Sequence, residues 1–395
     1  MDNKEISPEV ILNFFSVSDD GLARISASEI FENTGAEASV EGCISFFKTN
    51  YGSALKFCYS AQSIRRCCIL LSRFEVSERL EEASRQIEQA LRSVDFSFLA
   101  NKSFMVECER IGAQEYHSVD IAKEIAHSIQ LLTHCRIDFR NPEYRLYAIV
   151  QRDLCVLGID LGGIDLSRRD YRIFNHPGSL KGTIAYAMFR SGLEACANTE
   201  KLSVANIFCK SGELAIETAL FLSRTSPNFF RKDSLAFWQY FGLDRKQVQK
   251  IIEDADSKIG NSADFEIFAS DSEMRHISMA RKNARIAGVE RFISFSRNDL
   301  EWLFLKFGRS SLDLIISDLG AGKHSDFQAI LNAFFKQANI ILEPEGALCI
   351  SLRDFEALEN TAPKFGFNIV QHLTCFQGQQ RIDFYILKRA STTLS

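Results

Sequence analysis

The chain has 395 residues, of which 46% are apolar, 25% are charged and only 6 are proline. This composition is that of a folded globular protein and excludes disordered, collagen-like and low-complexity classes. At roughly 100 to 200 residues per domain, the length predicts two or three domains, each able to bury a core. The formal net charge of −5 is unlike that of a general nucleic-acid binder, so any RNA contact must come from local basic patches.

Several other classes are disfavoured by what the sequence lacks. It contains no run of about 18 apolar residues, so no transmembrane helix is expected. Residues 1–5 do not resemble a secretory signal, which predicts a cytoplasmic protein. The 11 cysteines include no CxxC pair and the 7 histidines show no ligand spacing, so we expect reduced thiols and no metal site. The usual spacings of Walker loops and Ser/His/Asp arrangements are also missing, which argues against phosphotransferases and hydrolases.

The first part of the chain has the pattern of small α+β units. Its first strand, helix and second strand fall within about 40 residues, which is typical of a ferredoxin-like unit. Apolar spacings of three and four then indicate helices, and alternation indicates strands. The predicted strands are 13–17, 42–47, 104–109, 145–150 and 154–159, and the predicted helices are 23–34, 77–94 and 121–132.

From about residue 202 the pattern changes to a regular alternation of strands and helices. This alternation predicts an α/β fold with a parallel, doubly wound sheet. The predicted strands are 202–209, 265–270, 292–295, 312–316 and 347–352, and the clearest helix has Ile277, Ala280, Ala284 and Ala287 on one face. Two last strands, 367–375 and 381–387, leave no room for a helix between them, so we expect a terminal antiparallel hairpin.

Ligands of an open parallel sheet bind beyond the carboxyl ends of its strands, so the residues after each predicted strand are the candidates for a site. Gly212 follows the first strand and suits an anion-binding turn at a helix N-terminus, although a plain tight turn explains it equally well. Asp271 follows the second strand. Its carboxylate suits the hydroxyls of a ribose and also the cap of the next helix, and we expect both roles together.

The third and fourth strands are followed by further polar residues. Asn298 and Asp299 suit either a contact with an adenine or a turn. The loop Ser317–Gly322 contains Asp318 and two glycines. This combination favours a ligand-binding loop over a segment of the core, although a plain flexible loop is a close alternative. Between residues 131 and 175, seven arginines stand against six acidic residues. Arginine suits bidentate phosphate contacts, but a salt-bridged surface explains this composition as well.

The order of these motifs resembles that of the THUMP-domain RNA methyltransferases, in particular the tRNA guanine-N2 methyltransferases. The resemblance covers about residues 10–390. Its most specific part is the THUMP pattern and the linker that follows it. The matching segments are Phe104–Gly112, Tyr116–Ser118, Ile137–Glu143 and Leu166–Arg172, and then Pro177, Leu180 and Lys181, with Gly182 where the family usually has glutamate.

The catalytic region is similar to the family in layout but departs from its motifs. Asn206–Glu213, with Glu217 further on, stands in place of D-P-F-C-G-S-G-T…E, so Lys210 replaces the first glycine. The lysine side chain either obstructs the methionine end of S-adenosylmethionine or pairs with its carboxylate. The loop Ser317–Gly322 stands in place of N-P-P-Y-G or D-P-P-Y-G. It keeps a polar residue at Asp318 and lacks the prolines and the base-stacking ring, for which Leu319 or His324 are the possible substitutes.

The resemblance implies a domain order and a set of partners. It implies a ferredoxin-like domain at 1–75, a THUMP RNA-binding domain at 76–165, a linker at 166–180 and a Rossmann-like class I methyltransferase domain at 181–395. It also implies S-adenosyl-L-methionine as cofactor and tRNA as partner, with no membrane and no metal. We expect a monomer.

The site residues carried over by the resemblance fall into three groups. Asp318 and Leu319 would contact the target amine. The cofactor would be bound by Asn206, Cys209, Ser211, Gly212, Asp271, Asn298, Asp299 and Ser317, and the RNA by Arg140, Arg168, Arg169, Arg172 and Lys181.

Two functions remain open from the sequence. The first is S-adenosylmethionine-dependent methylation of the exocyclic N2 of a guanine in the acceptor stem of a tRNA. The alternative is a tRNA-binding relative without catalytic activity, because both the glycine at position 210 and the proline–aromatic loop are missing.

Overall fold

The structure is a computed structural model that describes residues 7–197, 201–240, 244–260, 264–320 and 327–390. Its internal contacts divide the chain into two compact units. Unit 1 consists of the described parts of Met1–Ser18, Ser26–Leu166 and Arg231–Ala255, and unit 2 of those of Asp19–Ile25, Ser167–Phe230 and Asp256–Ser395. Within these described ranges, no helix has the length and apolar character needed to cross a membrane.

Unit 1 is built on one eight-stranded sheet. Its strands are β1 (Ile11–Ser18), β2 (Ala38–Glu41), β3 (Ile44–Asn50), β4 (Ile64–Glu75), β5 (Ser103–Ile111), β6 (Arg136–Ile137), β7 (Tyr144–Gln151) and β8 (Leu154–Asp160). They are arranged in the order β2-β3-β1-β4-β8-β7-β5-β6. Only the pairs β5–β6 and β5–β7 are parallel. The other neighbours in this sheet are antiparallel.

Four helices of the N-terminal half pack with this sheet. They are α1 (Ala23–Thr34), α2 (Tyr51–Ser60), α3 (Leu80–Leu91) and α4 (Ser118–Thr133). The first four strands and two helices therefore follow the β-α-β-β-α-β order of a ferredoxin-like unit. The face of α3 that the apolar spacing predicts is the buried one, with Ala83, Ile87 and Leu91 inside the core.

The sheet continues across the expected domain boundary at residue 75. β4 pairs with β8 from Cys68 opposite Asp160 to Glu75 opposite Leu154, with one shift of register between Leu70 and Ser72, so the ferredoxin-like and THUMP parts share one sheet. The sequence did not predict β4, α2, β2 or β6. β4 lacks alternation because Cys67, Cys68 and Ile69 are buried in succession, as in a strand covered on both faces.

Unit 2 contains a seven-stranded sheet. Its strands are β9 (Leu202–Ile207), β10 (Phe265–Asp271), β11 (Ile293–Arg297), β12 (Leu312–Gly320), β13 (Leu342–Leu352), β14 (Phe367–Gln377) and β15 (Gln380–Arg389). The order is β11-β10-β9-β12-β13-β15-β14. The first five strands are parallel, and β15 runs antiparallel to both of its neighbours. The expected α/β fold with a terminal antiparallel hairpin is confirmed.

The remaining helices are α5 (Gly182–Glu194), α6 (Glu213–Leu222), α7 (Arg245–Asp256), α8 (Met274–Ile286), α9 (Leu303–Phe307), α10 (Phe327–Ile341) and α11 (Phe355–Thr361). In unit 2 they pack through small or apolar residues onto the sheet. Ile277, Ala280 and Ala284 of α8 meet the apolar side of α6 and β10, as their spacing predicts. Phe334 and Phe335 of α10 fill the core beside β12 and β13.

Residues 231–255 differ from the expected domain layout. They lie inside the range predicted for the methyltransferase domain but belong to unit 1. Phe237 and Ile252 are buried in the core of unit 1, and the ring of Tyr240 stacks on Tyr144 at 4.9 Å. Strand–helix periodicity carries no information about which core a segment joins, because apolar side chains satisfy either one.

Candidate functional site

The carboxyl ends of three parallel strands meet at one edge of the sheet in unit 2. β9 lies between β10 and β12 and is parallel to both. The next strands along the chain then continue on opposite sides, β11 beyond β10 and β13 beyond β12. This is the topological switch point at which open α/β sheets bind ligands. The residues that follow these strands form the candidate site.

The turn after β9 has an unusual backbone. Phe208 and Lys210 have φ angles of +57° and +50°, and Gly212 has a φ of +93°. Left-handed conformations are costly for residues with a Cβ atom. At Gly212 a Cβ atom would also lie 2.8 Å from the Cβ of Ala280, so the position requires glycine and allows α8 to approach closely. Gly212 therefore forms a tight turn, which is one of the two explanations that the sequence allowed for this glycine.

Lys210 and Asp318 form an ion pair in the middle of the site. The ammonium of Lys210 lies 2.6 Å from Oδ2 of Asp318, and the two side chains are only 18% and 9% exposed. The other oxygen of Asp318 accepts the backbone N–H of Gly320. Charge-assisted hydrogen bonds of this kind are short and strong. Lys210 therefore holds the carboxylate that the sequence predicted for the target amine.

Asp271 is buried at the end of β10 and already accepts three hydrogen bonds. Its oxygens accept the backbone N–H groups of Lys210 at 3.1 Å and Glu273 at 3.0 Å, and Nδ1 of His276 lies 3.0 Å from Oδ1. A carboxylate offers about four acceptor positions, so about one remains for a ligand. The bond to Glu273 ties Asp271 to the start of α8, although Asp271 is not itself the cap residue.

Two histidines beside Asp271 were missed by the sequence analysis. The ring of His276 contacts His176 edge-on at 4.9 Å. Nε2 of His276 and Nδ1 of His176 are buried and have no hydrogen-bond partner among the described residues. Burial, followed by the charges of His276 and Lys210, lowers the pKa of His176. No sequence signal could have joined them, because they are 100 residues apart and lack ligand spacing.

Ser211 is committed to internal contacts rather than to a ligand. Its fully buried hydroxyl contacts the carboxylate of Glu213 at 2.9 Å and accepts the backbone N–H of His176. Its carbonyl accepts the amide of Asn283, which also binds the backbone of Phe174. Burial raises the pKa of Glu213. The Ser211 side chain therefore anchors the 174–179 segment to the turn, and the assignment of Ser211 to the cofactor stays a prediction.

Two other predicted cofactor residues, Asn206 and Ser317, lie within the sheet, and a third, Cys209, lies in the turn after β9. The hydroxyl of Ser317 donates to the carbonyl of Ile207 at 2.7 Å, and the side-chain amide of Asn206 donates to the carbonyl of Ile316 at 3.2 Å. Both side chains thus tie β9 to β12, although Oδ1 of Asn206 is buried without a partner among the described residues. Burial, and then the nearby carboxylates, raises the pKa of Cys209 well above its ordinary value, so its thiol stays protonated.

The remaining predicted residues of this edge are more accessible. The backbone N–H of Asn298 donates to the carbonyl of Asp271, which places Asn298 beside the candidate ribose carboxylate. Asp299 is exposed just beyond β11. Leu319 is half-buried and packs against the core near β12. Ala321, Gly322 and His324 lie outside the described residues.

The five predicted RNA contacts have different surroundings. Arg169 is wrongly assigned, because its fully buried guanidinium makes a bidentate pair with Glu217 at 2.8 and 3.1 Å. Lys181 pairs with Asp19 at 2.9 Å and is 29% exposed. Nε of Arg172 lies 3.6 Å from Glu213. Arg168 in unit 2 and Arg140 in unit 1 have exposed side chains, so they stay candidates for RNA contacts.

The Arg169–Glu217 pair explains the glycine at position 182. A Cβ atom there would lie 2.5 Å from Oε1 of Glu217 and 2.8 Å from a carbon of Arg169. The hydroxyl of Tyr171 donates to the same carboxylate oxygen at 2.8 Å. The linker that precedes α5 is therefore fastened to α6 by a buried charge network, which requires a residue without a side chain at Gly182.

The sequence matches two family models. Residues 169–380, more than half of the chain, match the RMKL-like methyltransferase domain. Residues 82–160 match the THUMP domain. The first match covers most of the sheet of unit 2, and the second covers β5 to β8 of unit 1.

Similar proteins and structures span nearly the whole chain. The tRNA (guanine(6)-N2)-methyltransferase of Methanocaldococcus jannaschii is 25% identical over 397 residues, which cover 95% of this chain and all of that protein. The enzyme of the same name from Archaeoglobus fulgidus is 23% identical over 374 residues, covering 90% of this chain and 87% of its own. TrmN from Thermus thermophilus has a TM-score of 0.69 at 19% identity, over 96% of this chain and 100% of its own.

A putative methyltransferase complexed with SAH gives a TM-score of 0.77, also at 19% identity, over 96% of this chain and 98% of its own. Identities this low establish a shared fold. The resemblance to THUMP-domain methyltransferases is thereby confirmed at the level of domains and architecture.

Proposed function

Since the chain belongs to the RMKL-like methyltransferase domain family and also carries a THUMP domain, we propose that it transfers a methyl group from S-adenosylmethionine to the exocyclic N2 of a guanine in the acceptor stem of a tRNA. Two relatives of nearly full length bear the name tRNA (guanine(6)-N2)-methyltransferase, which supports a guanine at position 6 as the target. The observation that carries the proposal is the buried carboxylate of Asp318 at the switch point of the sheet.

The residues at the ends of β9 and β10 fit S-adenosylmethionine. Asp271 has acceptor capacity left for a ribose hydroxyl, and Nε2 of His276 is a buried polar atom without a protein partner among the described residues. Buried polar atoms in native proteins usually have a hydrogen-bond partner, so an unpaired one beside Asp271 favours a polar ligand there. Asn298 and Asp299 follow on the adjacent strand β11, where an adenine would lie next to that ribose.

Asp318 would orient the nucleophile. When bound, S-adenosylmethionine supplies an electrophilic methyl group on a sulfonium sulfur. The carboxylate of Asp318 accepts a hydrogen of the guanine amine and so fixes the direction of the nitrogen lone pair. The amine loses its proton after the new N–C bond has formed, so the site requires no strong base and contributes mainly orientation. Lys210 holds the side chain of Asp318 in place through the 2.6 Å contact.

The THUMP domain and the ferredoxin-like unit would bind the tRNA and present its acceptor end. Arg140 in unit 1 and Arg168 in the linker are the exposed basic residues that remain from the predicted RNA contacts. Arginine forms bidentate contacts with phosphate, and such contacts set register without reading sequence. The cytoplasmic location and the monomeric state stay predictions, the latter to be checked by sedimentation.

Calorimetric titration of the full chain with S-adenosylmethionine tests the cofactor, with Asp271→Ala as the control that should lose binding. Methyl transfer is then measured on unmodified tRNA transcripts, followed by mass spectrometry of the nucleosides for N2-methylguanosine. Asp318→Ala should abolish methylation while tRNA affinity stays within about twofold of the wild type, because phosphate contacts dominate that affinity. If tRNA binding fell as far as turnover, Asp318 would have another role.

The alternative hypothesis, a tRNA-binding relative without activity, finds no support among the relatives named above, which carry the names of enzymes. It predicts tRNA binding with neither cofactor binding nor transfer. The same titration therefore separates the two hypotheses before any RNA is added.

A further inference from the structure

Helix α8 carries a concentration of positive charge that has no part in the site described above. Its 13 residues include four arginines or lysines and no acidic residue, whereas the whole chain has a formal net charge of −5. The other α-helices of unit 2 are α5, α6, α9, α10 and α11, and each contains at most one arginine or lysine. Basic residues gathered along one helix are the usual electrostatic footprint of a nucleic-acid contact.

The four cations lie on one face of α8. Arg275 and Lys282 are seven residues apart, and Arg281 and Arg285 are four apart, so their side chains project from the same side of the helix. All four residues are exposed, and we call them the α8 basic face. It extends for about 15 Å, because each helical residue rises by about 1.5 Å. The buried side of the helix consists of His276, Ile277, Ala280, Asn283 and Ala284.

Two members of the α8 basic face are paired with acidic residues outside the helix. The guanidinium of Arg285 donates to both carboxylate oxygens of Glu290, at 2.8 and 3.1 Å. Nε of Arg275 lies 3.5 Å from a carboxylate oxygen of Glu273. The two arginine side chains are 70% and 73% exposed. Exposed ion pairs contribute little energy, so a phosphate can compete for either arginine.

The other two members, Arg281 and Lys282, form no ion pair with any residue in the described ranges. They lie against aromatic rings instead. The guanidinium of Arg281 is 5.5 Å from the centre of the Phe295 ring, and the ammonium of Lys282 is 4.9 Å from the centre of the Phe174 ring. A ring attracts a cation without neutralising it, so both side chains keep their full charge for an anion.

The α8 basic face adjoins the candidate site within unit 2. The first turn of α8 contacts Asp271 through the backbone N–H of Glu273. Further along the helix, the side-chain amide of Asn283 binds both the N–H and the carbonyl of Phe174, at 3.1 and 2.9 Å. The linker that precedes α5 therefore lies against α8, and it also contains Arg168, which stays a candidate for RNA contacts.

We propose that the α8 basic face binds the phosphate backbone of the tRNA. This inference rests on the function proposed above, and it adds a contact surface that contains none of the predicted RNA-binding residues. A polyanion complements four cations that no acidic residue of the same helix opposes, and phosphate contacts supply most of the sequence-independent affinity for a nucleic acid. Such contacts fix the register of the RNA and carry no sequence information. The α8 basic face therefore holds the RNA against unit 2 and does not select the target base.

The test measures the affinity of the full chain for an unmodified tRNA transcript by fluorescence anisotropy at a series of salt concentrations. Arg281→Gln/Lys282→Gln removes both unpaired charges and keeps a residue type that favours helices. Because each phosphate contact contributes about one unit to the slope of log K against log salt, we expect the slope to become shallower by about two units. Each single variant should change the slope by about one unit. The loss of affinity should be the same for tRNA transcripts of different sequence.

Two control variants separate a phosphate contact from effects of net charge or of folding. Arg309→Gln/Lys364→Gln removes one arginine and one lysine at exposed positions that precede β12 and β14 in unit 2, and it should leave the slope unchanged. Arg281→Lys/Lys282→Arg keeps both charges on α8 and should keep the slope of the wild type. S-adenosylmethionine should bind all these variants equally, because the buried side of α8 is unaltered.

The outcomes separate this inference from the function on which it rests. If the wild type binds and methylates the tRNA but Arg281→Gln/Lys282→Gln has an unchanged slope, the function stands and the inference is wrong. The α8 basic face then serves another anionic partner, such as an acidic protein. If Arg309→Gln/Lys364→Gln makes the slope equally shallow, net charge explains the result and the inference is also wrong. If the wild type binds no tRNA, the proposed function itself fails.

Discussion

Lys210 offers a direct test of how the turn after β9 is held together. Its φ of +50° is a left-handed conformation, which costs a residue with a Cβ atom about 1–2 kcal/mol. Its ammonium lies 2.6 Å from Asp318. Lys210→Gly removes the backbone strain together with the ion pair. Lys210→Met removes the charge alone at nearly the same side-chain volume, and it therefore serves as the matched variant.

The two effects oppose each other and can be compared. Removing one partner of a buried ion pair costs about 3–5 kcal/mol. Because Lys210 is 18% exposed and Asp318 keeps the N–H of Gly320, we expect about 2–3 kcal/mol for Lys210→Met. Lys210→Gly recovers about 1 kcal/mol of backbone strain, so its cost should be about 1–2 kcal/mol. The expected order of stability is wild type, Lys210→Gly, Lys210→Met.

Native-state hydrogen exchange of the amides in β9 and β12 measures the free energy of opening at the turn itself, which suits a protein with two units. The double variant Lys210→Met/Asp318→Asn removes both charges and should be more stable than the sum of the single effects predicts. The reasoning would be refuted if Lys210→Met matched the wild type and Lys210→Gly exceeded it, because the ion pair would then contribute nothing.

Two further predictions concern groups around the site. Arg169→Met should destabilise unit 2 by about 3–5 kcal/mol, since it leaves the fully buried carboxylate of Glu217 without its charge partner. Arg309→Met, at an exposed position of the same unit, should change the stability little, and thermal unfolding of both variants compares them. His176 should titrate below its ordinary value of 6.5, as followed by the NMR shift of its ring protons. Because its pKa is lowered in the folded state, its contribution to stability is present above pH 6.5 and is lost as the pH falls through the lowered value. His176→Gln should weaken this loss of stability at low pH. An unchanged dependence of stability on pH would contradict the assignment of that loss to His176.

Local patterns along the chain were enough to predict most of the α/β region. The strands of unit 2 lie within two residues of their expected bounds, except that β12 ends four residues later and β13 begins five residues earlier. Ile277, Ala280 and Ala284 face the core as their spacing predicts. These features depend on the period of 3.6 or 2 residues in each element, which neighbouring residues set. The same dependence on local periodicity explains why β4 was not predicted. Burial on both faces removes the alternation of apolar and polar residues that marks a strand.

The chemistry of individual side chains was less predictable. Asp271 and Asp318 were expected at strand ends and are found there, because a residue's place after a strand is a local property. Whether a side chain is available to a ligand depends instead on distant partners. Arg169 looks like any other arginine of its segment, yet Glu217 on α6 buries it, and Ser211 is occupied by Glu213 and the 174–179 segment.

The sequence alone was sufficient for the class of fold, the strand-end carboxylates and the resemblance to THUMP-domain methyltransferases. The three-dimensional arrangement was needed for the pairing of Lys210 with Asp318 and the contact of His276 with Asp271. Lys210 and Asp318 are 108 residues apart along the chain, and they meet only because β12 pairs with β9. Sheet pairing therefore creates these contacts, and no local sequence pattern records them.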